Sequence, residues 1–475
     1  MRPNKWWVFA TVSCGSLMAS IDVSVVNLAL PALRDQYHIG LAQVEWVVLS
    51  YLLMLTSLLL TMGRLADVMG RNKLYNLGFV VFTAGSMLCG LAPNIPALVG
   101  FRGVQAVGSA MLISSSTAIL LDAFPTSQRG QALGLMSTVF ALGNMIGPTL
   151  GGGLLTWFGW RSIFFVNVPV GLVGMTLAFL MLPRQAAREE GRFDIAGSIL
   201  VGIAIVGLLL AINTGQQEGW TPRVIAMLAG AVALSIAFVV RQVVAPFPLL
   251  RFGLFKTPGF TNALIGQTMQ TMCGSSNLLL LPFFLVSLQG RTEAQAGLIL
   301  LASSITSAFI SPLGGWLSDR IEIRWVATAG ATVMMIGYVL MSGARHDWRV
   351  ADVVMRIIVL SVGTGLFISP NASAAYQYVR SADRGQAVGT LAFIRNLGFT
   401  FGTAVAGSVW TLRRLADAHS MKIDPASIAA QVAGLHDTYL VIAGFAMIAL
   451  LASVARPKVG TSDRSSRDSE AAVAV

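Results

Sequence analysis

The sequence predicts an all-α membrane protein: two six-helix bundles with two extra transmembrane helices between them, fourteen spans in all. Three observations carry this. Of 475 residues, 55% are hydrophobic and only 11% charged, with a mean hydropathy of +0.72; a soluble domain carries roughly a quarter charged residues. Apolar runs of spanning length recur along the chain. The first half also repeats in the second at a nearly constant offset.

Spans of the first bundle fall at 8–30, 44–63, 74–91, 97–121, 131–157 and 163–182. The first is long enough to cross and lacks a small-residue cleavage site, so it is expected to be a retained helix. The extra pair occupies 194–213 and 223–241, and the second bundle 259–288, 295–317, 326–343, 353–379, 386–411 and 437–455. Two stretches are expected to lie on the membrane. Residues 247–256 set bulky apolar side chains beside Arg251 and Lys256, which suits an interfacial segment. Residues 424–435 start with Asp424-Pro425, a helix cap and first-turn proline, ahead of an apolar-periodic run.

Self-similarity sets the domains. Arg129-Gly130-Gln131-Ala132 recurs as Arg384-Gly385-Gln386-Ala387, and Gly143 and Gly147 recur as Gly398 and Gly402, both at an offset of 255. Gly63-Arg64-Leu65-Ala66-Asp67 has its echo in Gly315-Trp316-Leu317-Ser318-Asp319, and the intramembrane Arg102 in Arg356. The expected division is 1–190 for the first bundle, 191–254 for a linker with the extra pair, 255–456 for the second bundle and 457–475 for a disordered tail. Parallel repeats of this kind are a transporter architecture, with the substrate path between them.

An even number of spans leaves both termini on one face. About two-thirds of the 32 Lys and Arg lie on that side, which places it in the cytoplasm. The chain is therefore expected in the inner (cytoplasmic) membrane, in contact with membrane lipids. A net charge of +11 would suit nucleic acid only if clustered on a soluble face, and here it is scattered between apolar runs. Cys14, Cys89 and Cys273 all fall in apolar segments, in neither a disulfide framework nor a metal-ligand cluster. An ATP-driven pump needs a phosphate-cradling G-x-x-x-x-G-K-[ST] loop, which is not in the sequence. No acid/base or metal constellation suggests an enzyme, and no cofactor is expected. A channel has no need of paired halves with gating loops.

The loop after the second span reads Gly63-Arg64-Leu65-Ala66-Asp67-Val68-Met69-Gly70-Arg71-Asn72-Lys73. A tight turn with positive-inside anchors is the plainest account. A gate is the sharper one: Gly63 for close helix approach, Gly70 for the turn, and Asp67 accepting hydrogen bonds from a neighbouring helix N-terminus while pairing with Arg71. This loop resembles the signature loop of the major facilitator superfamily. Leu-Ala-Leu-Pro after Asp22, Arg102-Gly103-Val104-Gln105 and the run from Gly143 to Gly152 look like motifs of its drug:proton antiporters. Trp160-Arg161-Ser162-Ile163-Phe164-Phe165-Val166-Asn167-Val168-Pro169, with the extra pair, resembles the fourteen-span branch. Ala106 departs from the pattern, which usually has glycine there.

The resemblance implies a multidrug efflux transporter that exports amphiphilic small molecules on the proton gradient. Gly143, Gly147 and Gly151 recur every four residues and form a small-residue face, while Pro148 removes a backbone bond and bends its helix. Uptake by symport, a metabolite carrier and a flippase for lipid-like amphiphiles are rival tasks on the same fold. Periplasmic adaptor proteins stay open as partners.

Asp22 is the one carboxylate within these spans away from an edge. It lies roughly 12 Å below the far end of its helix, and Arg102 and Gln105 roughly 8 and 12 Å deep in the fourth span, so the three are expected to meet. Proton coupling is assigned to Asp22 and Arg102. Substrate-lining candidates are the polar residues within spans: Asn27, Gln105, Asn144, Gln267, Gln270, Asn277, Asn371 and Asn396. Arg102, Arg356 and Arg395 place three positive charges in the interior, which disfavours divalent cations as substrates.

Overall fold

The computed structural model describes residues 4–39, 41–182, 194–219, 221–246, 248–250, 252–379, 383–421, 424 and 427–457. Within them every regular element is helical. Capping side chains set several starts. Asn4 accepts from the Trp6 N–H ahead of α1 (Lys5–Tyr37), and Asn94 from the Ala97 N–H ahead of α4 (Ile95–Ala123). Between α2 (Leu41–Met69) and α3 (Arg71–Gly90) the chain turns at Gly70, whose φ of 92° favours glycine. Then come α5 (Arg129–Phe158), a single turn α6 (Ser162–Phe165) and α7 (Asn167–Met181).

The extra pair is α8 (Ile195–Glu218) and α9 (Pro222–Val244). Asp194 caps α8 through the Gly197 N–H and takes two nitrogens of Arg241 from α9, at 2.7 and 3.1 Å. The second set comprises α10 (Pro258–Phe283), which ends in a π-turn at Phe284–Leu288, α11 (Glu293–Arg320), α12 (Ile323–Ser342), α13 (Val350–Gln377), α14 (Arg384–Met421) and α15 (Ile428–Val454).

The repeat offset is visible in the packing. In the first set α3 lies on α4, α2 on α4 and α1 on α5; in the second α12 lies on α13, α11 on α13 and α10 on α14. Across the sets α11 packs on α5 and α14 on α2, and α8 flanks α2. At the end where the chain termini lie, one apolar cluster runs through both sets, from Leu59, Ala66 and Leu74 to Ala375, Val379, Ala387 and Leu391. Toward the opposite end Val25, Val44, Val47 and Trp160 belong to one core, and Leu285, Ala296, Met341 and Leu435 to another. This conformation is closed at the terminal face.

Twelve of the described helical segments are long and apolar enough to cross a membrane, so the chain is a multi-pass membrane protein. The expected fourteen is not reached on that measure, because α3 and α14 fall short. α3 carries Arg71, Asn72, Lys73 and Asn76, and α14 carries Arg384, Gln386, Arg395, Asn396, Arg413 and Arg414.

Boundaries also move. α1 extends seven residues beyond the expected end. The separate surface helix expected at 424–435 is instead the start of α15, capped by Ser427 through the Ala430 N–H. The interfacial stretch is a 3-10 turn at Phe252–Lys256, while positions 247 and 251 lie outside the described residues. So do 183–193 of the linker and the tail from 458 onward.

Candidate functional site

Asp22 is 1% exposed, and both its oxygens are occupied. Oδ2 accepts from Arg102 Nη1 at 2.7 Å; Oδ1 accepts from Gln105 Nε2 and Asn167 Nδ2, each at 2.9 Å. α1, α4 and α7 thus converge on one carboxylate. Arg102 is held from three further directions. Its Nε donates to the Val47 carbonyl, its Nη1 reaches Gln105 Oε1 at 2.6 Å, and its guanidinium carbon sits 4.2 Å from the Tyr51 ring centroid. Ser86 takes Gln105 Nε2 and Asn167 Nδ2, both at 3.1 Å, and donates to the Phe164 carbonyl.

A charge pair this deep is tolerable because its geometry is complete: removing either partner would strand the other uncompensated. The arrangement also offers a switch. If Asp22 takes up a proton, the charge pair is broken, while Arg102 keeps Gln105 Oε1 and the Val47 carbonyl as hydrogen-bond acceptors.

The second site is the loop between α2 and α3, where a gate is expected. Asp67 takes Arg71 Nη2 at 2.9 Å, and also the first backbone N–H groups of α14, Gly385 at 3.1 Å and Gln386 at 3.0 Å. A helix N-terminus presents unpaired N–H groups and a partial positive charge, so a carboxylate belongs there. Arg71 continues to Asp122 at 2.7 Å, and Asp122 to Arg384 at 2.6 Å. The repeat builds the mirror clamp: Asp319 of α11 takes the Gly130 and Gln131 N–H groups of α5, both at 2.8 Å. Gly63 allows the approach, since a Cβ there would lie 2.8 Å from the Gly385 carbonyl. Both clamps cross from one repeat to the other, on the terminal face.

The glycine face of α5 meets α1: Gly143 lies against Ser20, Gly147 against Ser24 and Gly151 against Val25. The side chains of Asn144 and Pro148 lie outside the described residues.

The substrate-lining candidates scatter. Gln105 is fully buried in the Asp22 network, and Asn371 is fully buried where it donates to the Ala263 carbonyl and accepts from Arg456. In this conformation both are paired within the core. Gln267 and Gln270 are buried along α10 and bond each other at 3.3 Å. Asn277 accepts from the Tyr439 hydroxyl. Asn27 is exposed and bonds back to the Val23 carbonyl, and Asn396 is half-buried. Arg356 does not face the interior either. It holds the Leu340 and Asp352 carbonyls and lies 4.0 Å from the Trp348 ring centroid.

Sequence reasoning gave Ser86, Asn167 and Tyr51 no role. Serine is ordinary in a membrane helix, and Asn167 stands near a span edge where an amide costs little. The one available signal was an asparagine embedded in the Trp160-to-Pro169 motif.

The sequence profile of the Major Facilitator Superfamily matches residues 12–288 and 263–474. The riboflavin transporter RibZ of Clostridioides difficile is 33% identical over 409 residues, 85% of this chain and 88% of that protein. The multidrug resistance protein Stp of Mycobacterium tuberculosis is 33% identical over 411 residues, 86% of this chain and 76% of that one. In structure, the human organic anion transporter MFSD10 aligns with a TM-score of 0.68 at 15% identity, covering 95% of this chain and all of that one. A helical fold with two repeat-related clamps, the profile match across both halves and these relatives agree: the chain is a transporter belonging to the major facilitator superfamily.

Proposed function

We propose that this protein is a proton-coupled antiporter of fourteen spans, which exports amphiphilic drugs or related small molecules across the cytoplasmic membrane by alternating access. α3 and α14 cross with the other helices, and the terminal face is cytoplasmic. One observation carries the coupling: a buried carboxylate, Asp22, whose protonation leaves its arginine with fallback acceptors in Gln105 and Val47. An ionisable residue inside a membrane is expensive and marks a functional path.

The cycle follows from the two sites. With both aspartate clamps made, the cytoplasmic face is shut. A proton reaching Asp22 from the other side loosens the tie between α1 and α4, and the clamps then open to admit substrate from the cytoplasm. Substrate entry and proton release reset the charge pair.

The riboflavin transporter among the relatives favours one second reading, a metabolite carrier of the same fold. A single experiment tests both. The purified protein is placed in vesicles with an imposed pH gradient and screened over amphiphilic drugs and aromatic metabolites. Uphill drug transport should appear in the wild type and fall to background in Asp22→Asn, an isosteric change that cannot carry a proton. Uphill transport undiminished in Asp22→Asn would remove that residue from the mechanism. Gradient-driven transport of a metabolite alone would establish the second reading.

A further inference from the structure

Arg395 stands apart from the other interior charges. It belongs to α14, eleven residues past Arg384, roughly 16 Å from the terminal end at helical rise. Its repeat mate, at the offset of 255, is Phe140, eleven residues into α5. These two mates face each other: the guanidinium carbon lies 6.0 Å from the Phe140 ring centroid, across the interface between the repeats. That is the outer limit of a cation–π contact. Among the described residues Arg395 makes no hydrogen bond and no ion pair, and the side chain keeps part of its surface accessible.

The interior acids are all spoken for. Asp22 holds Arg102, Gln105 and Asn167; Asp67 holds Arg71 and the start of α14; Asp122 holds Arg71 and Arg384; Asp319 holds the start of α5. A cationic substrate entering between the repeats would find no uncommitted carboxylate among the described residues. An anion would find an uncommitted guanidinium. Burying an unpaired charge is costly, so a ligand that pairs it recovers what the apo site gives up.

We infer that Arg395 and Phe140 form a substrate subsite for a monoanionic aromatic amphiphile. The acid group (carboxylate or sulfonate) takes the guanidinium fork in two parallel N–H bonds, and the ring stacks on Phe140. The proposal deepens the exporter reading and rests on it for the word substrate, though the site itself can be tested without transport.

The test is equilibrium binding to the purified full chain in neutral detergent, with no gradient imposed. The probes are 2-naphthalenesulfonate, its neutral analogue 2-naphthalenemethanol, and a trimethylammonium analogue. The wild type should bind the sulfonate about tenfold more tightly than the neutral compound and more tightly than the cation. Arg395→Gln should erase that preference while leaving the neutral compound's affinity unchanged. Arg395→Lys should retain part of it, since the charge stays and the fork is lost. Phe140→Leu should weaken the naphthyl sulfonate more than octanesulfonate. Tighter binding of the cation by the wild type, or a sulfonate preference that survives in Arg395→Gln, overturns the assignment. If Arg395→Gln fails to fold, the wild-type ranking and Arg395→Lys decide it. Anion preference without proton-driven transport would sink the coupling scheme alone; transport of cations without anion preference would sink this subsite alone.

Discussion

Asp22 shows how a single charge is made tolerable within hydrocarbon. Three donors from α4 and α7 close around it and Ser86 of α3 braces two of them, so its energetic weight lies in the network rather than in the pair. Arg102→Ala should therefore strand a buried carboxylate and cost about 3–5 kcal/mol of stability. Adding Asp22→Asn to that variant should restore much of the loss, because the amide needs no counter-charge. Thermal unfolding in detergent checks this, and strictly additive losses would show that the two residues do not depend on each other. Much of the network was legible in the sequence, since Asp22, Arg102 and Gln105 are conspicuous in apolar runs. Ser86 and Asn167 were not, because their types carry no signal until a neighbouring helix brings the carboxylate to them. Nor does polarity inside a span say whether a side chain is already satisfied, as Gln105 and Asn371 are in this conformation.

Among the elements, the repeat-related clamps have unequal strength. Asp67 has both the α14 N-terminus and Arg71, whereas Asp319 has the α5 N-terminus, and Ile323 occupies the position 252 residues beyond Arg71. A carboxylate at a helix start is worth about 0.3–1 kcal/mol, or up to about 2 when partly buried. Asp67→Asn should thus shift the population toward an open terminal face several-fold, and Asp319→Asn by less. The reporter is a cysteine at Thr138, whose hydroxyl bonds the Ala308 carbonyl across the repeats. Its labelling rate from the terminal side should rise in the order wild type, Asp319→Asn, Asp67→Asn, both together. Rates unmoved by either change would reduce the loop to a turn with positive anchors. The sequence disclosed this clamp in outline, because Asp67, Gly70 and Arg71 stand in one short loop. It also predicts a tie between the halves; which helix donates, the start of α14, was beyond it, as contacts across the repeats leave no periodicity in either.

For the molecule as a whole, the repeat offset proved the most informative sequence feature. Equivalent helices pair in the two halves, even though α3 and α14 are too polar to register as spans on hydropathy alone. If α3 crosses, residue 93 lies on the face opposite the termini; if it does not, residue 93 shares their side. A cysteine at Pro93 should be labelled by an impermeant reagent from the face opposite one at Asn4, and a cysteine at Asp424 from the face opposite one at Pro125, all four positions being exposed. Same-face labelling of 93 with 4, or of 424 with 125, would reduce the span count below fourteen. Helix ends were less legible than helices. The long α14 and the continuous α15 are held by packing on each other and on α10, and local sequence at 424–435 argued for a break that the tertiary structure does not make.

The twin clamps have one more consequence, and it concerns the solvent. To open the terminal face, four backbone N–H groups at two helix starts and both their carboxylates must be rehydrated together. Water is then a reactant in the conformational change, taken up on opening and expelled on closure. Solutes excluded from protein surfaces favour burial, so osmolytes such as sucrose hold this face shut. The resting balance of the transporter is accordingly tied to the water activity of the compartment that face meets.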